Sequence, residues 1–251
     1  MKLVADFMVD IPQIKLSDTV TKARQVLRDD VFREIYVYDD RKRLAGYVDL
    51  TDVLRVTATK SNVTVEGYLK EAASVTCDTP IEEAVRAIKK YRTDSACVVD
   101  GQMNIKGGVL LSDLFPIIIT RHELHGSVSD YMSRKVVTSA PDDPVQKIHS
   151  LIIESSFTAF PVVKKNKIVG IISRRDILKA GRIRAALESG TMVAVDTLMS
   201  KDVVTVSPDE PIQAAAALMV RHDIGRVPVV DSGRIRGILD RHDVLKGLAM
   251  S

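Results

Sequence analysis

Ser173 and Asp176 are three residues apart at a point where a predicted strand leads into a predicted helix. In this position the serine can act as the helix N-cap and the aspartate can accept from exposed amides of the first turn. The same geometry suits a ligand, because a helix N-terminus attracts phosphate and a carboxylate accepts hydrogen bonds from sugar hydroxyls. The two roles are compatible, so both residues are candidates for ligand binding.

The aspartate belongs to a pattern that occurs four times along the chain. An aspartate follows a glycine by six residues at intervals of 61, 63 and 67 residues, in the pairs Gly46/Asp52, Gly107/Asp113, Gly170/Asp176 and Gly237/Asp243. A valine followed four residues later by methionine or leucine advances by the same intervals, in the pairs Val4/Met8, Val65/Leu69, Val128/Met132 and Val195/Met199. Two independent marks in one register indicate four sequence repeats.

The elements that position these residues are clearest in the last repeat. Residues 202–206 predict a strand because four of the five are β-branched, and residues 227–230 and 235–239 predict two more strands around a turn. Apolar side chains at i, i+3, i+4 and i+7 predict a helix between the first two strands, and a second helix begins near Asp240. The helical positions in the second and fourth repeats are Ile81, Ala84, Val85, Ile88 and Ile212, Ala215, Ala216, Met219. Each repeat therefore reads strand, helix, strand, strand, helix.

These motifs together resemble the cystathionine-β-synthase (CBS) domain. The matching segments are the Val-x-x-x-Met box, Val-Thr-Val-x-Pro at 204–208, Val-Pro-Val-Val-Asp at 227–231 and Gly-Ile-Ile-Ser-Arg-Arg-Asp-Ile-Leu at 170–178. The resemblance implies an α/β (α+β) fold of four β-α-β-β-α CBS repeats paired into two Bateman modules. The expected repeats are residues 1–60, 61–121, 122–190 and 191–251, with modules at 1–121 and 122–251.

The resemblance also implies a ligand. In this family the Gly-x-x-Ser/Thr-x-x-Asp segment binds adenosine nucleotides, with the aspartate on ribose and the hydroxyl near phosphate. The third repeat matches this pattern through Ser173 and Asp176, whereas Asp49, Leu110 and Asp240 occupy the hydroxyl position in the first, second and fourth repeats. A second carboxylate near a phosphate costs electrostatic energy unless a cation intervenes. We therefore expect AMP, ADP or ATP to favour the third repeat.

Arg226 is the second part of this expected site. The nucleotide-sensing γ subunit of AMP-activated protein kinase, a relative, places phosphate-binding arginines at this position, and such an arginine serves the ribose site of the other repeat in its module. Arg226 is thus expected to serve Asp176, with adenine against a predicted strand containing Val137 and Thr138. The equivalent positions hold Ala159, Ser95 and Glu34, the last with Arg33 beside it as a substitute. The alternative is that Arg226 is an exposed strand arginine.

The fourth repeat predicts a different specificity. Its two carboxylates, Asp240 and Asp243, suit a sulfonium or a magnesium-bridged phosphate, and S-adenosylmethionine and methylthioadenosine are ligands of some family members. Two solvated helix-cap acids are the alternative. The full set of candidate ligand-binding residues is Ser173, Asp176, Arg226, Val137, Thr138, Asp240, Asp243, Asp52, Asp113 and Arg33.

Composition and motifs argue against two other classes of function, nucleic-acid binding and catalysis. The net charge is +3, from 36 basic and 33 acidic residues, and aromatic residues make up 4% of the chain. These values disfavour a nucleic-acid partner and are compatible with an anionic small molecule. The sequence contains no glycine-rich phosphate loop, nucleophile elbow or zinc-type cysteine cluster, so we expect a protein that is not an enzyme and requires no cofactor.

Location and partners follow from weaker signals. A charge arrives too early in residues 1–6 for a secretory signal, and apolar runs such as 115–119 are shorter than the roughly 18–20 residues that span a bilayer. These short runs argue against membrane contact, and Cys97, in an apolar run, is expected to be a buried, reduced thiol, which favours the cytoplasm. The expected partners are an adenosyl ligand, an unidentified regulated protein and a second copy in a homodimer. A pure scaffold with vestigial pockets remains the alternative.

Overall fold

The computed structural model describes residues 1–29, 32–57, 61–155, 157–180 and 191–248. Contacts divide the chain into two compact units, Met1–Leu114 and Phe115–Ser251. The division falls inside a helix, Leu111–Arg121, that ends the second repeat. Among the described residues, no helix combines the length and hydropathy that crossing a membrane requires.

The first unit repeats one order of elements twice. Its strands and helices are β1 (Gln13–Lys15), α1 (Val20–Asp29), β2 (Glu34–Tyr38), β3 (Leu44–Asp49), α2 (Leu50–Arg55), β4 (Ser74–Val75), α3 (Ile81–Tyr91), β5 (Ser95–Val99), β6 (Ile105–Leu110) and α4 (Leu111–Arg121). In each repeat the first strand runs parallel to the second, and the second runs antiparallel to the third. The predicted β-α-β-β-α order is confirmed here.

The second unit has helices and antiparallel strand pairs like those of the first unit, without the first strand of each repeat among the described residues. Its elements are α5 (Val128–Tyr131), α6 (Val145–Glu154), β7 (Ala159–Lys164), β8 (Lys167–Ser173), α7 (Arg174–Lys179), α8 (Ile212–Arg221), β9 (Arg226–Asp231), β10 (Arg234–Asp240) and α9 (Arg241–Lys246). Each repeat has one antiparallel pair, β7 with β8 and β9 with β10. Most of the connection between these repeats lies outside the described residues.

The prediction of a first strand in the third and fourth repeats is wrong, because each of these segments makes only a single β-bridge among the described residues. Residues 136–138 form no strand, and pairing is reduced to single parallel bridges, Ser139 with Val162 and Val206 with Val229. In the first unit the N–H of Tyr36 donates to the carbonyl of Pro12 across the same sheet edge. Pro161 and Pro228 occupy the position of Tyr36 and have no N–H to donate, so the ladder shortens.

The helices bury the apolar faces that their spacing predicts. All eight apolar positions named for α3 and α8 have no exposed surface. Burying an Ile, Val or Met side chain stabilises a fold by roughly 1.5–3 kcal/mol, so these faces hold the helices on the sheets. Cys97 is free and fully buried, and burial raises the pKa of its thiol to about 12. The expectation of a buried thiol is confirmed.

Backbone bridges join the repeats in consecutive pairs. Residues just after each Val-x-x-x-Met box exchange two backbone hydrogen bonds with the third strand of the other repeat in the pair. The bridges are Tyr47 with Lys70, Val9 with Gly108, Ser133 with Ile238, and Ile171 with Ser200, with N···O distances of 2.9–3.0 Å. The first repeat thus pairs with the second and the third with the fourth, as predicted.

The two marks of the sequence repeat contact each other at these bridges. A Cβ added to Gly237 would lie 2.6 Å from Met132 Sδ and 2.9 Å from the carbonyl oxygen of Ser133. A Cβ added to any of the other three glycines would come as close to the partner repeat, at Leu69 for Gly46, at Met8 for Gly107 and at Met199 for Gly170. The glycines of the tetrad are therefore required by close packing between repeats, a role that the sequence analysis did not assign.

Substituting Gly237 by alanine should destabilise the second unit, because the new methyl group overlaps Met132 and the Ser133 carbonyl. Overpacking of this kind costs about 1–3 kcal/mol in the free energy of unfolding, which denaturant titration measures. Gly101→Ala is the matched control, since nothing lies within 4 Å of its added Cβ. Equal unfolding midpoints for the two variants would contradict the packing role.

Candidate functional site

The third repeat brings Ser173 and Asp176 together at the start of α7. Ser173 is the N-cap residue, and the carboxylate of Asp176 accepts from both its N–H and its hydroxyl at 2.7 Å. Both side chains are half-buried. A sugar hydroxyl that reaches this junction would meet a carboxylate that is already oriented by two hydrogen bonds.

Arg226 reaches this junction from the fourth repeat. It begins β9, and its Nη1 donates to the hydroxyl of Thr158, which directly precedes β7 of the third repeat. The carbonyl of Thr158 accepts from the N–H of Arg174, the first residue of α7, at 3.0 Å. One threonine therefore links the Arg226 guanidinium to the helix whose cap is Ser173.

Val137 and Thr138 lie in the extended segment that replaces the predicted strand. Both are half-buried, and the next residue, Ser139, is the one that bridges to β7. Ser139 accepts from Val163 N at 2.8 Å and donates to the Pro161 carbonyl at 3.0 Å. Within the described residues, the segment pairs with the sheet at Ser139.

The paired carboxylates of the first repeat already have a cation. Asp49 caps α2, and the carboxylate of Asp52 accepts from the backbone N–H of Asp49 at 2.8 Å. Lys70 Nζ lies 2.7 Å from the Asp52 carboxylate and 3.3 Å from that of Asp49. Burial, and then the charge on Asp49, raises the pKa of Asp52. Lys70 comes from the second repeat, so the sequence spacing gave no sign of this ion pair.

The fourth repeat has the same carboxylate arrangement with a local cation. Asp243 accepts from Asp240 N at 3.1 Å, and Lys246 Nζ lies 2.6 Å from Asp243. Burial, and then the charge on Asp240, raises the pKa of Asp243. Lys246 is three residues after Asp243 on α9, a spacing at which oppositely charged side chains meet, so the sequence could have identified this partner.

The second repeat differs from the others at this junction. Asp113 is exposed and accepts from Ser112 Oγ at 3.1 Å, and Leu110 ends β6 where the third repeat has Ser173. The structure does not give Asp113 the cap partner that Asp176 has in Ser173.

Arg33, the predicted substitute for a phosphate-binding arginine, makes an ion pair within the first unit. Its Nη1 lies 3.4 Å from Asp94, and each side chain is 31% exposed. The neighbouring Glu34 is only 5% exposed and accepts from the Asp94 N–H at 2.7 Å. The sequence analysis missed Glu34, Thr158 and the buried Arg174, because each is identified by a contact with another repeat or by its burial.

The comparisons identify the family. The CBS domain model matches residues 4–58, 65–120, 128–182 and 195–250, which is most of the chain. The chain belongs to the CBS domain family. The four matches fit the four structural repeats, and the paired repeats of each unit are Bateman modules.

Relatives share these domains in different proteins. An uncharacterised protein of Methanocaldococcus jannaschii, MJ1225, is 26% identical over 67% of this chain and 64% of its own length. Its crystal structure, described as a proposed archaeal homologue of the γ subunit of AMP-activated protein kinase, covers 98% of this chain and 99% of that one with a TM-score of 0.80 at 21% identity.

Enzymes are also among the relatives. The homoserine O-acetyltransferase of Methanococcoides burtonii is 38% identical over 61% of this chain, and the inosine-5'-monophosphate dehydrogenase of Korarchaeum cryptofilum is 32% identical over 59%. The matched regions span only 28% and 26% of these enzymes. The chain thus spans less than two thirds of the length of these three relatives.

The raised pKa of Asp52 predicts a pH effect on stability. A carboxyl group with a raised folded pKa contributes stability below its unfolded pKa of about 3.9, and this contribution is lost as the pH rises through the folded pKa. Asp52→Asn cannot titrate, so it should gain stability relative to the parent as the pH rises from about 4 towards neutrality. Denaturant unfolding at a series of pH values measures this difference.

The control is Asp113→Asn, which changes the equivalent but exposed aspartate. It measures the effect of an aspartate-to-asparagine change on the unfolding free energy at a position that folding leaves in solvent. Parallel pH profiles for the parent and Asp52→Asn would contradict the predicted desolvation of Asp52.

Proposed function

We propose that this protein is a non-catalytic sensor that binds an adenosine nucleotide (AMP, ADP or ATP) between the third and fourth repeats. The ligand makes or breaks no covalent bond, and the protein requires no cofactor. Residues 122–251 are the sensing module in this proposal. Binding transmits a change to a regulated protein, and the chain acts as a homodimer in the cytoplasm.

The contact of Arg226 with Thr158 is the observation that carries the proposal. Through Thr158, the contact connects an arginine of one repeat to the final helix of the other, which agrees with the arrangement that the family resemblance implies for a nucleotide shared by two repeats. A guanidinium is the preferred partner for a phosphate, which it binds through two parallel N–H groups. The ribose side and the phosphate side of a nucleotide thus have separate candidate partners.

Each residue has a distinct role in this proposal. Asp176 accepts hydrogen bonds from the ribose hydroxyls, Ser173 lies near the phosphate and Arg226 neutralises it. Val137 and Thr138 contact the adenine, from a segment that pairs with the sheet at Ser139. In the part of the chain that the structure describes, residues 136–138 pair with no strand, so their backbone polar groups are candidate partners for a base.

The mechanism of signalling is a shift between conformations. A ligand held by both repeats favours the arrangement in which both sets of contacts are made, by an amount equal to its difference in affinity for the two states. A tenfold difference corresponds to about 1.4 kcal/mol. The change in the module is then available to a partner protein.

The fourth repeat is the second candidate, for S-adenosylmethionine or methylthioadenosine at Asp240 and Asp243. Lys246 lies 2.6 Å from Asp243 and already supplies a positive charge to this pair. A sulfonium would have to share or displace that lysine. This ion pair favours a nucleotide in the third repeat over a sulfonium ligand in the fourth.

Asp176→Ala should weaken AMP, ADP and ATP binding by roughly tenfold to a hundredfold, because it removes the acceptor for two ribose hydroxyls. Isothermal titration of the purified protein with these nucleotides, S-adenosylmethionine and methylthioadenosine measures the effect. Asp113→Ala, at the equivalent position beside Leu110, should bind like the parent. If none of the five ligands gives a binding signal with the parent protein, the sensor proposal is refuted and a scaffold is favoured.

Arg226→Ala should weaken nucleotides by roughly tenfold to a hundredfold and leave adenosine nearly unchanged, because only the phosphate contact is charge-assisted. The matched control is Arg236→Ala, which removes an exposed strand arginine paired with Asp231 at 3.0 Å. An equal loss of affinity for AMP and for adenosine in Arg226→Ala would show that this residue does not bind the phosphate.

A further inference from the structure

The two modules differ in charge at equivalent positions. The first residue of the second strand is Glu34 or Ser95 in the first module and Ala159 or Arg226 in the second. The first residue of the final helix is Leu50 or Leu111 in the first module and Arg174 or Arg241 in the second, all four being buried. The first module therefore has one acid, a serine and two leucines where the second has three arginines and an alanine.

Glu34 reaches the same position of its partner repeat in the first module that Arg226 reaches in the second. Arg226 reaches Thr158, and Glu34 reaches Asp94, the residue at the same position before the second strand of the partner repeat. The Glu34 carboxylate accepts from the N–H of Asp94 at 2.7 Å and from the hydroxyl of Ser95. Both side chains thus bridge two repeats at the same place, with opposite charge.

This bridge is buried and continues to a tyrosine. Glu34, Ser95 and Tyr36 are 5%, 4% and 1% exposed, and the Tyr36 hydroxyl lies 2.8 Å from Ser95 Oγ. Burial, and then the charge on Glu34, raises the pKa of Tyr36 well above its usual value. A buried carboxylate is tolerated only where hydrogen bonds compensate its lost hydration, and both of its oxygens have a donor here.

An external anion would have to replace this carboxylate. A phosphate at the same place would meet the charge of Glu34 without an intervening solvent layer, and like charges repel strongly where water is excluded. We propose that Glu34 is a built-in anionic ligand that closes the first module to phosphate-bearing molecules and holds its two repeats together without an external ligand. This inference extends the proposed function by excluding one module from sensing.

Amide hydrogen exchange of the full chain tests the built-in ligand. Glu34→Ala should increase exchange of the Asp94 N–H by about tenfold or more, because its acceptor is removed. Glu34→Gln retains an acceptor oxygen and should stay near the parent value, which provides a readout if the alanine variant unfolds. Glu210→Ala removes a carboxylate that accepts from Ser207 N at 2.8 Å in the second module and should leave Asp94 unchanged.

Amide hydrogen exchange with added AMP or inorganic phosphate tests whether the first module excludes phosphate-bearing molecules. Neither probe should protect amides of residues 33–52 or 94–113 in the parent. Protection there by either probe, or unchanged Asp94 exchange in Glu34→Ala, would overturn the proposal. AMP that protects no amide anywhere would contradict AMP as the ligand of the proposed sensor, whereas the Asp94 result with Glu34→Ala would still support or overturn the built-in ligand.

Discussion

The close approach of a glycine in one repeat to the methionine or leucine box of its partner is the constraint on which each module depends. At Gly237 the partner sulfur occupies the space that a Cβ would need, and two backbone hydrogen bonds join the strands beside it. Neither repeat can make this contact alone, and a unit of about 60 residues buries too little surface for ample stability. Because the contact is reciprocal, each repeat completes the sheet edge of the other.

This pairing determines where the candidate site lies. The strand that carries the glycine ends at the residue that caps the final helix, so fixing the strand also fixes the junction of Ser173 and Asp176. The same pairing brings the start of β9 to Thr158 of the third repeat. The candidate nucleotide site is therefore a product of two repeats, and neither repeat contains it complete.

One backbone arrangement supports several chemistries because few side chains differ at the junctions. A serine, a leucine or an aspartate precedes the final helix, and lysines neutralise the doubled acids in the first and fourth repeats. A glutamate in one module and an arginine in the other bridge the repeats at the same position. Buried charges need specific partners, so each exchange changes which ligand the junction can accept.

The sequence by itself determined the repeats, the order of their elements and the buried helix faces, because these depend on local periodicity and on spacing along the chain. It also identified Ser173 and Asp176, which are neighbours on one helical turn, and it contained the prolines that shorten two sheets. Only the tertiary structure decided the partners of Arg226, Glu34 and Asp52, and the role of the glycines in packing. Those contacts join residues roughly 20 to 100 positions apart, and no local pattern records which distant side chain reaches a given group.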